Sequence, residues 1–135
     1  MPAFSHRSLS RLDTCHPDLV ALCVEVVRTY DITILEGHRG EERQNQMRQE
    51  GKSQLSWPNS RHNSQPSLAV DFAPYIAGVG VSWDWQHYHP LAEHVKATWS
   101  RLMDKGELSG DYDLSWGGDW RTFKDGPHWQ LDKRA

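Results

Sequence analysis

The 135-residue chain has little cysteine, no excess of basic residues and no long apolar run. Its two cysteines, Cys15 and Cys23, are too few for a disulfide framework. A helix after Pro17 would separate them by roughly 12 Å along its axis, beyond the reach of a disulfide, so we expect two free thiols. The net charge of -3 gives no basic footprint, so we expect no nucleic-acid partner.

Targeting and membrane signals are also missing from the sequence. No run of about 18 apolar residues occurs, so we expect no membrane span. The opening MPAFSHRSLSRLD lacks the apolar region of a secretory signal, so we expect the protein to stay in the cytosol where it is made until something releases it. Hydrophobic residues make up 37% and charged residues 24%, which is typical of a soluble protein, and the length suits one domain over residues 1–135.

Tryptophan, in contrast, is abundant, with seven in this short chain. A Trp side chain buries a large apolar area and keeps an N–H that needs a partner, so it lines both cores and ligand grooves. We expect most of the seven to lie in the core.

Apolar spacing, turn formers and helix-end signals predict alternating helices and strands without repeats or linkers. This pattern indicates one small α+β domain. Helices are predicted at residues 17–30, 41–51 and 89–106, and strands at 32–35, 68–76, 112–116 and 128–131.

Four side chains in two separate motifs are candidates for one metal site. NSRHNSQPSLAVDFAPYI contains His62 and Asp71, and DGPHWQ contains Asp125 and His128. A carboxylate in mid-strand, as predicted for Asp71, needs a partner or a metal to offset its desolvation. Two histidines and a carboxylate with an open fourth position are typical of catalytic zinc, and Asp125 would then reach the water. The alternative is four polar residues in two loops.

Other histidines offer weaker metal sites. His87 and His89 in WQHYHP would face one way in a strand, but no nearby carboxylate or Cys completes a ligand set. We interpret them as surface or helix-cap residues. His94 is predicted to lie on a helix, solvated or packed. His38 either lines a groove beside its arginine neighbour or is an exposed loop residue.

Several further polar and aromatic residues have two readings. Asp119 in WGGDW could orient a ligand histidine or could shape a loop after two glycines. Trp120 and Trp129 could wall the site or pack in the core. Glu41 and Glu42 are interpreted as first-turn carboxylates that the helix dipole favours.

Five motifs in sequence order resemble the zinc peptidoglycan peptidases. They are RSLSRLDTCHPDLV, EGHRGEERQ, SRHNSQPSLAVDFAPYI, WGGDW and DGPHWQL, and they span nearly the whole chain. The resemblance is to relatives of D-Ala-D-Ala carboxypeptidases and vancomycin-resistance dipeptidases, and most of all to phage endolysins that are L-alanyl-D-glutamate endopeptidases. It implies a hedgehog/DD-peptidase-like fold, an antiparallel sheet flanked by helices.

The resemblance also implies roles for individual residues. His62, Asp71 and His128 correspond to the ligands of Zn2+, and Asp125 to the catalytic base. Eight residues separate His62 from Asp71 where the simplest family pattern has six, and the extra residues fall in the polar NSQPS turn. The base is Asp where several relatives have Glu, which shortens its reach by one methylene.

Two residues of EGHRGEERQ complete the implied site. Arg39 corresponds to the arginine that steadies the substrate and the oxyanion of the tetrahedral intermediate, where a fixed cation contributes most. Gln44 corresponds to a less strictly patterned glutamine near the substrate.

The implied activity is cleavage of the L-Ala–D-Glu bond in peptidoglycan by a monomeric endolysin, which waits in the host cytosol until a holin opens the membrane. A D,D-carboxypeptidase with the same ligands is the alternative, and a non-catalytic wall-binding or signalling module is a third. Retention of Asp125 and Arg39 argues against the third. The loop from Lys52 to Ser67 carries only Lys52 and Arg61 as cations, which suits an open groove better than a carboxylate trap.

Overall fold

A computed structural model describes residues 3–134. Its centre is an antiparallel sheet in which the strands run in the spatial order β1-β2-β5-β4, with β3 paired to the end of β2. The strands are β1 (Ile32–Glu36), β2 (Ala69–Ile76), β3 (Gly80–Val81), β4 (Tyr112–Trp116) and β5 (His128–Lys133). The prediction of an antiparallel sheet in an α+β domain is confirmed.

Four helices flank the sheet. They are α1 (His6–Leu12), α2 (Pro17–Val27), α3 (Glu41–Gln49) and α4 (Trp85–Asp104). The prediction missed α1, which is only seven residues long and is capped by the Ser5 hydroxyl accepting from the Ser8 amide. Helix α3 carries Glu41 and Glu42 in its first turn, as predicted.

Helix α2 buries one apolar stripe against the core. Pro17 stands at its first position, and the His16 ring accepts a hydrogen bond from the Asp18 amide at 3.0 Å, which caps the helix. Cys23 is fully buried on this stripe, and Cys15 is buried just before the helix. Both are free thiols, as expected, and burial raises the pKa of Cys15 to about 12.

Helix α4 begins four residues earlier than predicted. The sequence predicts a start at His89, from the apolar helical spacing of the residues that follow it. In the structure the Asp84 carboxylate accepts a hydrogen bond from the Gln86 amide at 3.0 Å, so the helix begins at Trp85. Pro90 therefore lies inside the helix.

The core lies between the sheet and helices α2 and α4. Phe72 of β2 stacks on Trp129 of β5 with ring centroids 6.0 Å apart, and Trp129 stacks on Trp116 of β4 at 5.7 Å. Trp99 of α4 completes the group of buried indoles. The expectation that most Trp lie in the core was wrong, because three of the seven are buried and the other four are half-buried or exposed.

No helix within residues 3–134 is both long enough and apolar enough to cross a membrane.

Candidate metal centre

One row of side chains crosses three strands on the face of the sheet opposite the stacked tryptophans. Glu36 of β1 pairs with Asp71 of β2, and Asp71 pairs with His128 of β5. Regular pairing would place Leu35 opposite Asp71. A β-bulge at Leu35 places Glu36 there instead. The row therefore combines two carboxylates and an imidazole on rigid strands.

His62 reaches this row from the long polar loop. It lies in a short 3-10 helix, Arg61–Asn63, whose first amides are capped by the Ser60 hydroxyl. The His62 carbonyl accepts a hydrogen bond from the Arg39 amide at 2.8 Å, which ties this loop to the segment after β1. The His62 side chain is buried, so its imidazole faces the sheet and not the solvent.

Three donor atoms of these side chains converge on one point. Oδ1 of Asp71 lies 3.3 Å from Nε2 of His62 and 3.2 Å from Nδ1 of His128, and the two ring nitrogens are 3.3 Å apart. A tetrahedral zinc with bonds of 2.0–2.1 Å would separate its ligand atoms by roughly 3.3 Å. The spacing thus fits a small metal ion, and the group could hold one.

The outer nitrogens of both rings show why a cation fits. Nδ1 of His62 lies 2.8 Å from the Gly37 carbonyl, which can only accept, so Nδ1 carries the proton and Nε2 presents a lone pair. Nε2 of His128 lies 2.8 Å from Oε1 of Gln130, whose amide nitrogen donates to Asp132. Nδ1 of His128 therefore also presents a lone pair. Together with Oδ1 of Asp71, three lone pairs face one another, an arrangement that a cation stabilises.

The pKa shifts of Asp71 and His128 are consistent with three acceptors that lie close together. In the absence of a metal the two imidazoles can each take up a second proton. Burial by itself would raise the pKa of Asp71, but the charges of protonated His62 and His128 and their hydrogen bonds hold it well below the usual carboxylate range. Burial would lower the pKa of His128, yet its hydrogen bond to Asp71 and the Asp71 charge raise it. A proton on His128 thus takes the place that a metal ion would fill.

Asp125 lies beside this group on the turn that leads into β5. Its amide donates to the Gly117 carbonyl at 3.1 Å, and a Cβ at Gly117 would collide with the Asp125 backbone, which explains the glycine in WGGDW. Burial and the negative charge of Asp71 raise the pKa of Asp125 to about 6. A carboxyl with such a pKa can exchange a proton near neutral pH.

Arg39 and Gln44 form a buried support for Asp71. The Arg39 side chain is 4% exposed; its guanidinium donates to Glu36 at 2.7 Å and to Gln44 at 3.0 Å, and lies 3.6 Å from Oδ2 of Asp71. Arg39 Nε has no hydrogen-bond partner within residues 3–134. Arg39 borders the cavity, so its predicted contact with substrate stays a prediction.

Gln44 occupies a different place from the one that its predicted role suggested. Its side chain is fully buried, and its amide nitrogen donates to the Ser53 hydroxyl at 3.1 Å and the Leu55 carbonyl at 2.6 Å. Gln44 thus holds Arg39 and the start of the polar loop together. Contact with a substrate would have to pass through Arg39, and the predicted substrate role of Gln44 stays a prediction.

A cavity of about 290 Å³ opens over the three donor atoms. We call it the main cavity; the polar loop forms one side, including Lys52 and Arg61, and Trp120, Phe123 and Asp125 form the other. The Trp120 ring lies 5.0 Å from the His128 ring. The arrangement can hold a metal ion next to a carboxyl of raised pKa inside an open groove.

Some residues considered from the sequence lie elsewhere. Asp119 is mostly exposed and pairs with Lys96 of α4 at 2.7 Å, which favours the loop-shaping alternative over the orientation of a ligand histidine. Trp129 packs in the core, and Trp120 walls the cavity. His38 is half-buried in a shallow depression near Thr14 and does not border the main cavity.

The three other histidines considered from the sequence, His87, His89 and His94, lie on α4. His87 and His89 are two residues apart on a helix, so they do not face the same way as they would in a strand. His87 bonds the Ser82 hydroxyl at 2.6 Å, and His94 bonds the Thr29 hydroxyl at 2.9 Å.

Three supporting residues were missed from the sequence. Gln130 fixes the His128 tautomer, the Gly37 carbonyl fixes that of His62, and Glu36 neutralises Arg39. The signal for Gln130 was its position two residues after His128, which puts both on one face of a strand. Glycine at position 37 is required, because a Cβ there would collide with Thr14. The bulge that turns Glu36 inward left no such signal.

Comparisons with known proteins agree on one family. A family model described as phage L-alanyl-D-glutamate peptidase matches residues 2–131. The chain is 28% identical over 108 residues to the peptidoglycan L-alanyl-D-glutamate endopeptidase CwlK of Bacillus subtilis (strain 168), covering 75% of this chain and 60% of that protein. The crystal structure of the Serratia marcescens L-Ala D-Glu endopeptidase ChiX matches with a TM-score of 0.76 and 35% identity, over 97% of this chain and 91% of ChiX.

Proposed function

The chain belongs to the family of phage L-alanyl-D-glutamate peptidases, and we propose that it is a zinc endopeptidase that cuts the L-Ala–D-Glu bond in the stem peptides of bacterial peptidoglycan. The observation that carries the proposal is the convergence of three lone pairs, on His62, Asp71 and His128, beside the carboxyl of Asp125. The two relatives carry the same activity in their names, and CwlK is considerably longer than this chain.

The donor set favours zinc among the metals of proteins. Two imidazole nitrogens and one carboxylate oxygen, with a fourth position open, suit catalytic Zn2+ better than the all-oxygen sites of Mg2+ or Ca2+. A zinc ion held there would lower the pKa of a water molecule to about 7 and polarise the scissile carbonyl. Elemental analysis of the purified protein should find about one zinc per chain.

Asp125 moves the proton in the proposed reaction. Its raised pKa of about 6 lets it accept a proton from the attacking water at neutral pH. The same carboxyl then gives that proton to the amine nitrogen of the leaving D-Glu, so one residue serves as base and then as acid. The Gly117 contact fixes the backbone of Asp125, which limits the positions that its carboxyl can take before substrate binds.

Arg39 supplies positive charge where the carbonyl oxygen becomes negative. Its guanidinium is held by Glu36 and Gln44, so it does not have to reorganise during the reaction. Gln44 acts as a positioning residue, because it contacts Arg39 and the loop and does not border the cavity.

The charge of the residues that line the main cavity favours an endopeptidase. Such an enzyme must accept chain on both sides of the scissile bond, whereas a carboxypeptidase needs a closed end with a cation. The cations Lys52 and Arg61 lie along one side of the main cavity, where they can attract the carboxylates of an acidic stem peptide. Lys52 also pairs with Glu50, and Arg61 with Asp132, so neither forms a dedicated carboxylate trap.

Mass spectrometry of digested peptidoglycan tests the bond. We expect stem peptides that begin with D-Glu, and glycan strands that keep L-Ala on muramic acid. Free D-Ala as the main product would overturn the proposal in favour of a D,D-carboxypeptidase.

We further propose that the protein is a monomeric endolysin that lyses the host after a holin opens the inner membrane, as the phage origin of the family suggests. Cells that produce it in the cytosol should lyse only when a holin is produced as well. Lysis without the holin, or intact cells with both proteins, would contradict this role.

A further inference from the structure

A second cavity adjoins the site, and of the residues that line it only Asp125 takes part in the proposed reaction. We call it the aromatic cavity; Trp83, Trp85, Tyr88, Asp125 and Pro127 line it. Its volume is about 280 Å³, close to the lower end of ligand pockets, so it has room for one small ring. Asp125 borders both this cavity and the main one, so a ligand could extend from one to the other past the proposed base.

Two of the three aromatic side chains of this cavity, Trp83 and Trp85, present their rings to solvent. Trp83 is 66% exposed and Trp85 is 42% exposed, although indoles usually bury most of their area. Trp85 is held from behind by the rings of His89, at 5.7 Å, and Trp116, at 6.4 Å. The Tyr88 hydroxyl donates a hydrogen bond to the Ser82 carbonyl at 2.8 Å, and the Tyr88 ring lines the aromatic cavity. Exposed rings beside a cleft indicate a binding surface.

The charge of the aromatic cavity differs from that of the main cavity. Its one lysine, Lys124, turns its ammonium group to the Trp120 carbonyl, at 2.7 Å, and to the Gly118 carbonyl. The cavity therefore offers aromatic faces and no free cation within residues 3–134. The main cavity in contrast carries Lys52 and Arg61, whose ion pairs with Glu50 and Asp132 are partly exposed to solvent. An acidic peptide suits the main cavity, and a neutral ligand with an apolar face suits the aromatic one.

A pyranose sugar is such a ligand. The axial C–H groups on one face of the ring are apolar and slightly positive, and they stack on the negative face of an indole. The hydroxyl and acetamido groups at the ring edge remain in water. The substrate proposed above carries a sugar close to the bond that is cut: a single L-Ala, spanning roughly 3.5 Å, separates that bond from the lactyl group of muramic acid.

We propose that the aromatic cavity binds the N-acetylmuramic acid ring of the glycan strand, with Trp83 and Trp85 as the stacking surfaces. This inference rests on the proposed cleavage of the L-Ala–D-Glu bond. It fixes the direction of the substrate: sugar and L-Ala lie on the Trp83 side of Asp125, and D-Glu with the rest of the stem peptide lies in the main cavity. The enzyme then recognises the junction of sugar and peptide.

Binding of N-acetylmuramoyl-L-alanine tests the proposal without turnover. In a titration followed by NMR of the indole N–H groups, the signals of Trp83 and Trp85 should shift, each identified by its loss in the matching Trp→Phe variant. The Trp83→Ala variant should raise the dissociation constant roughly three- to tenfold, which is the scale of one aromatic contact. Trp57→Ala is the matched control, because Trp57 is 41% exposed and lines neither cavity. Unmoved Trp83 and Trp85 signals at saturation would overturn the proposal.

Kinetics separate this inference from the proposed function. Wild-type enzyme is compared on a disaccharide–tetrapeptide and on the same tetrapeptide without sugar. Trp83→Ala should lower kcat/KM roughly three- to tenfold on the first substrate and leave the second unchanged, and Trp83→Phe should restore most of the loss. An equal effect on both substrates would refute the sugar site while leaving the peptidase intact. Cleavage of neither substrate at the L-Ala–D-Glu bond would instead refute the proposed function.

Discussion

The two faces of the central sheet are built from the same strands but have different roles: one packs in the core and the other carries the candidate metal site. On one face, Phe72 and Trp129 stack in a dry core. On the other, their immediate neighbours Asp71 and His128 bring a charge and an imidazole together beneath the main cavity. Alternation by one residue along β2 and β5 therefore separates folding from chemistry.

The difference shows how a costly cluster of polar groups is kept in place. Burial of charged groups without partners is unfavourable, and the site face holds Glu36, Arg39 and Asp71 within one network. The apolar face next to it gains stability from area removed from water. A substitution on one face should therefore affect metal and turnover, and a substitution on the other should affect the stability of the fold.

The largest effect is expected from His128→Ala. The variant should lose its metal and its measurable turnover together, because one of three ligand atoms is gone. The fold should survive, since Trp129 still fills the core. Zinc content and hydrolysis of peptidoglycan measure the two losses. His94→Ala on α4 is the control and should keep both, because His94 contacts the Thr29 hydroxyl and lines neither cavity. Full zinc in His128→Ala would show that the ligand set is wrong.

Asp125→Ala should separate the metal from the chemistry on the site face. We expect retention of zinc and a fall in kcat of roughly 10²- to 10⁴-fold, the scale of a general base. Parallel zinc analysis and steady-state kinetics measure this. Asp113→Ala, an exposed carboxylate of β4 that pairs with Arg134, is the matched control. Stoichiometric loss of zinc from Asp125→Ala would make Asp125 a ligand.

Leu131→Ala tests the apolar face. Leu131 is fully buried on β5, three residues after His128, and its truncation should lower the free energy of unfolding by about 2–5 kcal/mol. Denaturant melts of the zinc-loaded protein measure the loss. The folded fraction should keep its zinc and its kcat, so a large fall in kcat per folded molecule would show that the two faces are coupled.

The smallest effect is expected from Gln130→Ala, which leaves every proposed ligand in place. Without Gln130 the tautomer of His128 is no longer fixed, and zinc affinity should fall roughly 10- to 100-fold. Competition with a chelator measures the affinity. Gln46→Ala on the exposed side of α3 provides the control. An unchanged affinity would mean that the strand alone orients His128.

Local patterns were enough to predict much of the fold and the candidate ligands. Strand β4 has the predicted bounds, and β2 and β5 deviate by one or two residues at an end, because alternating apolar residues and turn formers mark them clearly. The grouping of His62, Asp71 and His128 followed from ordered motifs, and the structure brings these three side chains together.

What could not be predicted depends on contacts distant in sequence. Gln44 looks like an exposed helix residue, yet it is buried under the loop that contains Leu55. Asp119 finds Lys96 only once α4 is packed beside it. Trp85 lies in the first turn of α4, whose start is set by the Asp84 cap, whereas the sequence predicted that start four residues later.

The bulge in β1 also has a consequence for insertions and deletions. Leu35 is the extra residue of the bulge. Its deletion would leave Ile34 opposite Phe72 and Glu36 opposite Asp71, so the register of the pairing between β1 and β2 would be kept. Deletion of one residue from the regular strand β5 would instead exchange its two faces, turning core side chains towards the metal group. The chain should therefore tolerate the loss of one residue at the bulge in β1, but it should not tolerate such a loss within β5.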